Sequence, residues 1–123
     1  MKTLLLIDDE LDLHTVFKRF FTASGWLTAT ENGGSQGLKT AARIKPDLIV
    51  LDLNMPDING AEVLSRLANE PSTELIPVII WSGEELKKDA EERMKRLKNF
   101  RGFFSKPASF TQMEKKFRVL LGF

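Results

Sequence analysis

The chain has 123 residues, enough for one domain with one hydrophobic core and too few for two. Its 18 basic and 17 acidic residues nearly balance, so we expect no direct nucleic-acid or membrane partner. With no cysteine, no signal peptide and no apolar stretch of membrane-spanning length, disulfide and thiol chemistry are excluded and a cytoplasmic protein is expected.

The first half of the chain alternates short apolar runs with amphipathic segments. Strands are predicted at residues 3–7, 26–30 and 47–51, and the first of them ends at Asp8 and Asp9. The first helix, which Gly25 ends, has apolar residues at helical spacing, namely Leu13, Val16, Phe17 and Phe20. A second helix follows the turn at residues 32–34 and stops before Pro46.

The third strand leads into the most informative stretch of the chain. Its apolar run, residues 48–51, stops at Asp52, and Pro56 and Gly60 then punctuate a loop. A carboxylate is costly to bury inside a strand, so we expect Asp52 at the strand's carboxyl end, half open to water.

The second half continues the alternation. Asn59 with Glu62 predicts the N-cap of a third helix, and residues 76–81 predict a fourth strand that ends at Ser82. A charged fourth helix is predicted over residues 84–97. A fifth strand, at about residues 102–105, ends at Lys106-Pro107, and Ser109 with Gln112 caps the last helix.

Five strand–helix repeats with short connections predict an α/β fold, a parallel sheet covered by helices on both faces. Parallel strands all end at the same edge of the sheet. The polar residues that follow the strands should therefore lie together at that edge, namely Asp8, Asp9, Asp52, Ser82 and Lys106.

Three converging carboxylates repel one another unless a cation lies between them. The candidate ligands are all oxygen atoms, which favours Mg²⁺ or Mn²⁺ and argues against zinc. Lys106 adds a fixed positive charge and Ser82 a hydroxyl, and together with a metal these groups suit a phosphoryl group. One carboxylate would then act as the nucleophile, forming an aspartyl phosphate.

These residues resemble the receiver domain of two-component response regulators, of the single-domain type found in chemotaxis regulators. The resemblance covers the whole chain through Leu6-Ile-Asp-Asp-Glu10, Asp52-Leu-Asn-Met-Pro56 with Gly60, Ser82 after an apolar strand, and Lys106-Pro107. It implies one receiver domain over residues 1–123. The implied fold is flavodoxin-like, a doubly wound (βα)5 unit whose five-stranded sheet has the order 2-1-3-4-5.

The resemblance also implies a role for each site residue. Asp52 is the phosphoacceptor; Asp9, Asp52 and the backbone carbonyl of Asn54 bind Mg²⁺ directly, and Asp8 binds it through water. Ser82 and Lys106 sense the phosphoryl group, and Phe103 takes the aromatic switch position. Asn54 and Glu84 tune the lifetime of the phosphoryl group. The Lys106–Pro107 peptide bond is expected to be cis.

Simpler interpretations remain open for several of these residues. Asp8 or Asp9 suits the N-terminus of the first helix, and Ser82 with Glu85 forms a capping box for the fourth. His14 is expected at the surface and not as a ligand. Phe103 is compatible with an ordinary core position. Trp81 precedes Ser82, so its ring should point to the opposite face of the sheet, under helix one, two or four.

The fourth helix is rich in charge but is not a nucleic-acid surface. Its acids precede its bases at i,i+4 spacing in four pairs, namely Glu84–Lys88, Asp89–Arg93, Glu91–Lys95 and Glu92–Arg96. Such pairs neutralise one another. The apolar stripe is narrow, so we expect a helix held loosely on the sheet and able to move.

The sequence therefore predicts a signalling switch and not an enzyme for external substrates. A histidine kinase or histidine phosphotransfer protein would donate the phosphoryl group, and a downstream protein would bind the face of helix four, strand five and helix five. The domain would promote its own phosphotransfer and dephosphorylation, as a monomer or a weak phosphorylation-dependent dimer. The alternatives are an unphosphorylated adaptor and a receiver cut from a larger regulator. Asn54 lies where phosphohydrolases of the haloacid dehalogenase type need a second acid, and Asp8-Asp9-Glu10 is unsuited to a flavin phosphate.

Overall fold

The computed structural model describes residues 1–123 as alternating strands and helices. The elements are β1 (Thr3–Ile7), α1 (Leu11–Ala23), β2 (Leu27–Glu31), α2 (Gly34–Ile44), β3 (Leu48–Leu51), α3 (Gly60–Ala68), β4 (Val78–Ser82), α4 (Lys88–Lys95), β5 (Phe100–Ser105) and α5 (Phe110–Leu121). All strand pairs are parallel, and the order is β2-β1-β3-β4-β5. The predicted (βα)5 fold and strand order are confirmed. No helix is long and apolar enough to cross a membrane.

The central strands are buried on both faces, and each face carries its own apolar cluster. One cluster lies under α2, α3 and α4 and includes Val63, Leu64 and Met94. The other lies under α1 and α5 and includes Phe17 and Phe117. Continuous apolar runs such as Leu48–Leu51 are what a strand covered on both sides requires.

Helix α1 buries a slightly different stripe from the predicted one. Phe17 and Phe21 are buried, and Leu13 and Phe20 pack against the same cluster. Val16 is 44% exposed, so its predicted inward position is wrong. The helix turns 3.6 residues per turn, which places Phe21 with Phe17 and carries Val16 to the edge of the stripe.

Helix α4 is shorter than predicted and begins at Lys88, not at Glu84. Its N-cap residue is Lys87, and no side chain caps it. The predicted capping box at Ser82 is therefore wrong. Two of the four predicted ion pairs form, Asp89–Arg93 at 3.6 Å and Glu91–Lys95 at 2.9 Å. The other two pairs include Glu84, which lies before the helix, and Arg96, which is its C-cap residue.

Strand β5 begins two residues earlier than predicted and contains a bulge. Val78 of β4 pairs with Phe100, but Ile79 pairs with Gly102, so Arg101 is the extra residue. Gly102 has φ of +148°, a value that favours glycine. After the bulge Phe103 lies opposite Ile80 and Phe104 opposite Trp81.

Candidate functional site

The carboxyl edge of the sheet brings the three predicted acids together. One carboxylate oxygen from each of Asp8, Asp9 and Asp52 lies within 4.8 Å of the others. Asp8 follows β1 and Asp52 follows β3, and the Asp52 backbone N–H donates to the Ile7 carbonyl at 2.9 Å. Asp8 is fully buried and Asp52 is 3% exposed, whereas Asp9 is exposed. Asp52 is thus more deeply buried than the half-open position that the sequence suggested.

Lys106 enters this group from the end of β5. Its Nζ donates to Asp8 Oδ2 at 2.8 Å and to Glu10 Oε1 at 2.9 Å, and lies 3.8 Å from Asp52 Oδ2. Burial by itself would lower the pKa of Lys106, but the hydrogen bonds to Asp8 and Glu10 outweigh it and the pKa is raised. Lys106 is therefore a fixed cation and not an ordinary solvated lysine.

The two buried acids hold their protons more tightly than free aspartates do. Burial raises the pKa of Asp52 to about 6, and the negative charge of Asp8 adds to the shift while Lys106 opposes it. Burial also raises the pKa of Asp8, against the hydrogen bond from Lys106. A single ammonium thus leaves the cluster short of positive charge.

The donor set fits a hard divalent cation. The clustered ligand atoms are carboxylate oxygens and include no sulfur or imidazole. Both Asp8 oxygens already accept hydrogen bonds, one from Lys106 and one from the Glu10 backbone N–H at 2.9 Å. No side chain donates a hydrogen bond to Asp9, and Lys106 Nζ lies no closer than 3.8 Å to Asp52, so these two carboxylates accept fewer hydrogen bonds than Asp8.

The loop after Asp52 is closed tightly. The Gly60 backbone N–H donates to the Leu53 carbonyl at 2.8 Å. A Cβ atom at position 60 would lie 2.2 Å from the Asp52 carbonyl oxygen, so only glycine fits there. Asn54 lies within this closed loop and is exposed.

Ser82 and Phe103 lie on the neighbouring strands β4 and β5, and Phe103 pairs with Ile80, two residues before Ser82. Ser82 is buried as the last residue of β4, and its Oγ accepts the backbone N–H of Glu84 at 3.3 Å. Phe103 is half-buried against the cluster under α2, α3 and α4. Glu84 is exposed in the loop that precedes α4. The peptide bond between Lys106 and Pro107 is cis.

Three residues contribute to the site in ways that the sequence did not show. Glu10 shares Lys106 with Asp8. His14, predicted as a plain surface residue, is half-buried, and its Nε2 bonds the Asp8 backbone carbonyl at 2.5 Å. Trp81 lies under α1 and α5, and Lys106 Nζ is 5.2 Å from its ring centroid. Of these three, only the His14 contact had a signal in the sequence, namely the short spacing between Asp8 and His14 on the helix that follows β1.

The family model described as the response regulator receiver domain matches residues 4–118. The chain belongs to the response regulator receiver domain family. Among curated receivers, it is 31% identical to the polar-differentiation response regulator DivK of Brucella anthropi over 98% of this chain and 97% of DivK. It is 32% identical to the probable transcriptional regulatory protein TcrX of Mycobacterium tuberculosis, over 97% of this chain and 49% of TcrX.

Solved receiver structures share the fold at low sequence identity. A CheY-like receiver domain protein from Methanospirillum hungatei superposes with a TM-score of 0.89 at 17% identity, covering 99% of this chain and 94% of that one. The receiver domain of the Pseudomonas aeruginosa sensor histidine kinase PA1611 superposes with a TM-score of 0.86 at 19% identity, covering 99% and 98%. That structure has a magnesium ion coordinated in its active site cleft. As a receiver, the present chain is a two-component signalling domain, and phosphorylation on aspartate is characteristic of its family.

Proposed function

We propose that this receiver accepts a phosphoryl group on Asp52 in a Mg²⁺-dependent reaction and relays its phosphorylation state to a partner protein. The observation that carries the proposal is the position of Asp52. Its carboxylate is buried at the end of β3, beside two further acids, and Lys106 Nζ lies 3.8 Å away. A nucleophile so placed has positive charge close to where the incoming phosphoryl oxygens would lie.

The metal would be held by Asp9, Asp52 and the backbone carbonyl of Asn54, with Asp8 acting through water. This division agrees with the hydrogen bonds already made by both Asp8 oxygens. Bound Mg²⁺ or Mn²⁺ would supply charge that neutralises the carboxylates and the phosphoryl oxygens.

In the transfer step, an Asp52 carboxylate oxygen forms a bond to phosphorus while the phosphorus–nitrogen bond of a phosphohistidine donor breaks. The electron pair of that bond stays on the ring nitrogen, and the leaving group is neutral imidazole when the other ring nitrogen of the phosphohistidine carries a proton. Lys106 stabilises the negative charge on the transferring oxygens and remains protonated, in agreement with its raised pKa. The donor is a histidine kinase or a histidine phosphotransfer protein.

Ser82 and Phe103 would carry the response. In the present structure the Ser82 hydroxyl accepts only the Glu84 backbone N–H, at 3.3 Å. A phosphoryl group on Asp52 would offer Ser82 a charged acceptor, and the loop before α4 would have to move. Phe103 would follow by repacking, since it has no hydroxyl of its own and packs against the apolar cluster under α2, α3 and α4.

The output partner would bind the face of α4, β5 and α5. This face includes α4, which no side chain caps and which buries only Met94. We expect neither nucleic acid nor a membrane to bind this face directly. We expect the protein to be a monomer or a weak phosphorylation-dependent dimer. An unphosphorylated adaptor, or the receiver part of a larger regulator, is the alternative.

Asn54 and Glu84 would set how long the phosphoryl group lasts, and the domain would promote its own dephosphorylation. Both side chains are exposed and polar and lie close in sequence to Asp52 and Ser82. Substitution of either residue should therefore change the decay rate of the aspartyl phosphate, measured by loss of the phosphorylated mass with time.

Intact mass spectrometry with a small phosphodonor and Mg²⁺ tests the proposal. The wild type should gain one base-labile phosphoryl group, and Asp52→Asn should gain none. Omitting Mg²⁺ should abolish the gain in the wild type as well. Labelling that persists in Asp52→Asn would sink the assignment of the phosphoacceptor.

A further inference from the structure

Asp57, in the loop between β3 and α3, is hydrogen-bonded to a different part of the chain. Its Oδ1 accepts the backbone N–H of Gly34 at 3.0 Å, and its Oδ2 accepts that of Ser35 at 2.9 Å. These two N–H groups belong to the first turn of α2 and have no partner within the helix. The N-cap residue of α2 is Gly33, which has no side chain to offer. Asp57 therefore caps α2 from outside.

The contact depends on a close approach of the two loops. A Cβ atom at Gly33 would lie 3.2 Å from Asp57 Oδ2. At Gly34 it would lie 2.8 Å from Val63 Cγ2 and 3.0 Å from the Ile58 carbonyl oxygen. The two glycines at the start of α2 thus leave room for the β3–α3 loop, and Asp57 fixes it there.

The bond is charge-assisted. The backbone N–H groups of Ser35 and Gly34 lower the pKa of Asp57 to about 2. The carboxylate stays ionised at any pH near neutrality, and it also faces the positive end of the α2 dipole. Hydrogen bonds of this kind are stronger than those between neutral groups.

The tether lies close to the expected metal ligand in the same loop. The loop is closed at Gly60 by the hydrogen bond to the Leu53 carbonyl, and Asp57 holds its outer side to α2. Asn54 lies between these two anchors, three residues before Asp57, and its backbone N–H hydrogen-bonds the Asp52 carboxylate. The direction of the Asn54 carbonyl therefore depends on how the two anchors hold the loop.

We propose that Asp57 is a positioning residue for the metal site: by tying the β3–α3 loop to the first turn of α2, it holds the Asn54 carbonyl ready for a divalent cation. The inference rests on the proposed function of the site. It also implies a reciprocal effect. If the tether favours metal binding, metal binding must favour the tether by the same factor.

The first measurement is the Mg²⁺ dissociation constant of Asp57→Ala, determined by calorimetry at neutral pH. We expect the constant to rise by about tenfold, the lower end of what outer-shell partners of metal ligands contribute. Asp57→Asn keeps one acceptor oxygen and should lie between Asp57→Ala and the wild type. Both variants keep the three acids of the site.

Asp47→Ala is the matched control. Asp47 also accepts a backbone N–H through its carboxylate, that of Thr3 at 2.8 Å, but at the opposite end of the sheet. The Asp47→Ala substitution removes the same kind of bond and the same charge as Asp57→Ala. The Mg²⁺ dissociation constant of Asp47→Ala should nevertheless equal that of the wild type. If Asp47→Ala binds Mg²⁺ as weakly as Asp57→Ala does, the effect is a general loss of stability, and the positioning role is overturned.

The second measurement is hydrogen exchange at the Gly34 and Ser35 amides. Mg²⁺ should slow their exchange in the wild type by the factor that Asp57→Ala loses in affinity, and should leave it unchanged in Asp57→Ala. If the capping bond has no part in metal binding, the exchange rates of these two amides will be the same with and without Mg²⁺. Wild-type protein that binds no Mg²⁺ would overturn both this inference and the proposed metal site. If the wild type binds Mg²⁺ and Asp57→Ala binds it with the same dissociation constant, only the inference about Asp57 is overturned.

Discussion

Among the single residues, Asp52 has the clearest effect on the free energy of unfolding. Its folded-state pKa is about 6, above the ordinary value of 3.8. The folded protein therefore holds this proton more tightly than the unfolded chain, and stability is lost as pH rises from about 4 through 6. Above pH 6 the folded state carries an unfavourable charge that Asn does not have.

Asp52→Asn should accordingly be more stable than the wild type at pH 7 without metal, by about 1–3 kcal/mol. The difference should shrink as the pH falls from 6 to below the ordinary aspartate pKa of 3.8, where the wild-type carboxyl is protonated in both states. Urea unfolding of both proteins across this range, in a chelator, measures it. A difference that stays constant with pH would show that burial and the neighbouring acids do not raise the Asp52 pKa.

Trp81 is the second residue with a measurable consequence, because its ring touches Lys106. The ammonium lies 5.2 Å from the ring centroid, and both residues line a surface pocket of about 400 Å³. Phosphorylation would draw Lys106 and Ser82 towards the phosphoryl group. Lys106 is the residue that contacts the Trp81 ring, and Ser82 follows Trp81 in the chain. A beryllofluoride mimic should therefore change Trp81 emission more than Mg²⁺ alone.

Trp26→Phe removes the only other tryptophan and leaves Trp81 as the sole reporter. Trp26 lies just before β2, far from the carboxyl edge of the sheet, so its loss should leave the site intact. Emission in Trp26→Phe that responds fully to Mg²⁺, with nothing added by beryllofluoride, would mean that Lys106 and Ser82 do not carry the switch.

At the scale of the element, α4 begins without a cap. Lys87 occupies the N-cap position in an extended conformation, with φ of −67° and ψ of 144°, and makes no side-chain bond. Ser at this position accepts a hydrogen bond from the first turn. Lys87→Ser should therefore stabilise the domain by about 0.5–1 kcal/mol, as good N-cap residues do.

The midpoint of chemical unfolding measures the Lys87→Ser effect. Lys88→Ser, one residue inside the helix, is the control and should bring no gain, because serine is a poorer helix former than lysine there. Equal gains at both positions would indicate a surface-charge effect and not capping. A gain at neither would place the start of α4 elsewhere in solution.

At the scale of the whole molecule, a cation that binds only the folded state stabilises it by RT ln(1 + [L]/Kd). The melting temperature of the wild type should therefore rise steadily with Mg²⁺ concentration. Asp9→Asn should lose most of this rise, since Asp9 is the exposed acid of the cluster and a direct ligand in the proposed site.

Thermal melts of the two proteins in a Mg²⁺ series make the comparison, with Asp12→Asn as the control. Asp12 is an exposed acid in the first turn of α1 and is outside the acidic cluster. Its variant should follow the wild-type Mg²⁺ dependence. A rise in Asp9→Asn equal to that of the wild type would exclude Asp9 as a ligand.

The parallel sheet and the meeting of polar residues at one edge were predictable from the residues themselves, namely Asp8, Asp9, Asp52, Ser82 and Lys106, whereas the strand order followed from the resemblance to receiver domains. Strands with continuous apolar runs and short connections leave few topologies, and parallel strands share their carboxyl edge whatever packs around them. The N-caps at Asn59 and Ser109 were predictable because capping is local, within three residues.

Other features depend on residues that are distant in the sequence and were settled by tertiary packing. The bulge at Arg101 decides which face of the sheet Phe103 occupies, because one extra residue inverts the side-chain alternation after it. Helix α4 begins only at Lys88, several residues after the end of β4, although the acids from Glu84 onward suit a helix N-terminus. The bonds from Asp57 to α2 and from Lys106 to Glu10 span 22 residues or more, and no local pattern encodes them. Local rules determined the elements and the edge where they meet; the burial, the raised pKa of Asp52 and the loop tethers come only from the folded arrangement, since each needs groups that only folding brings together.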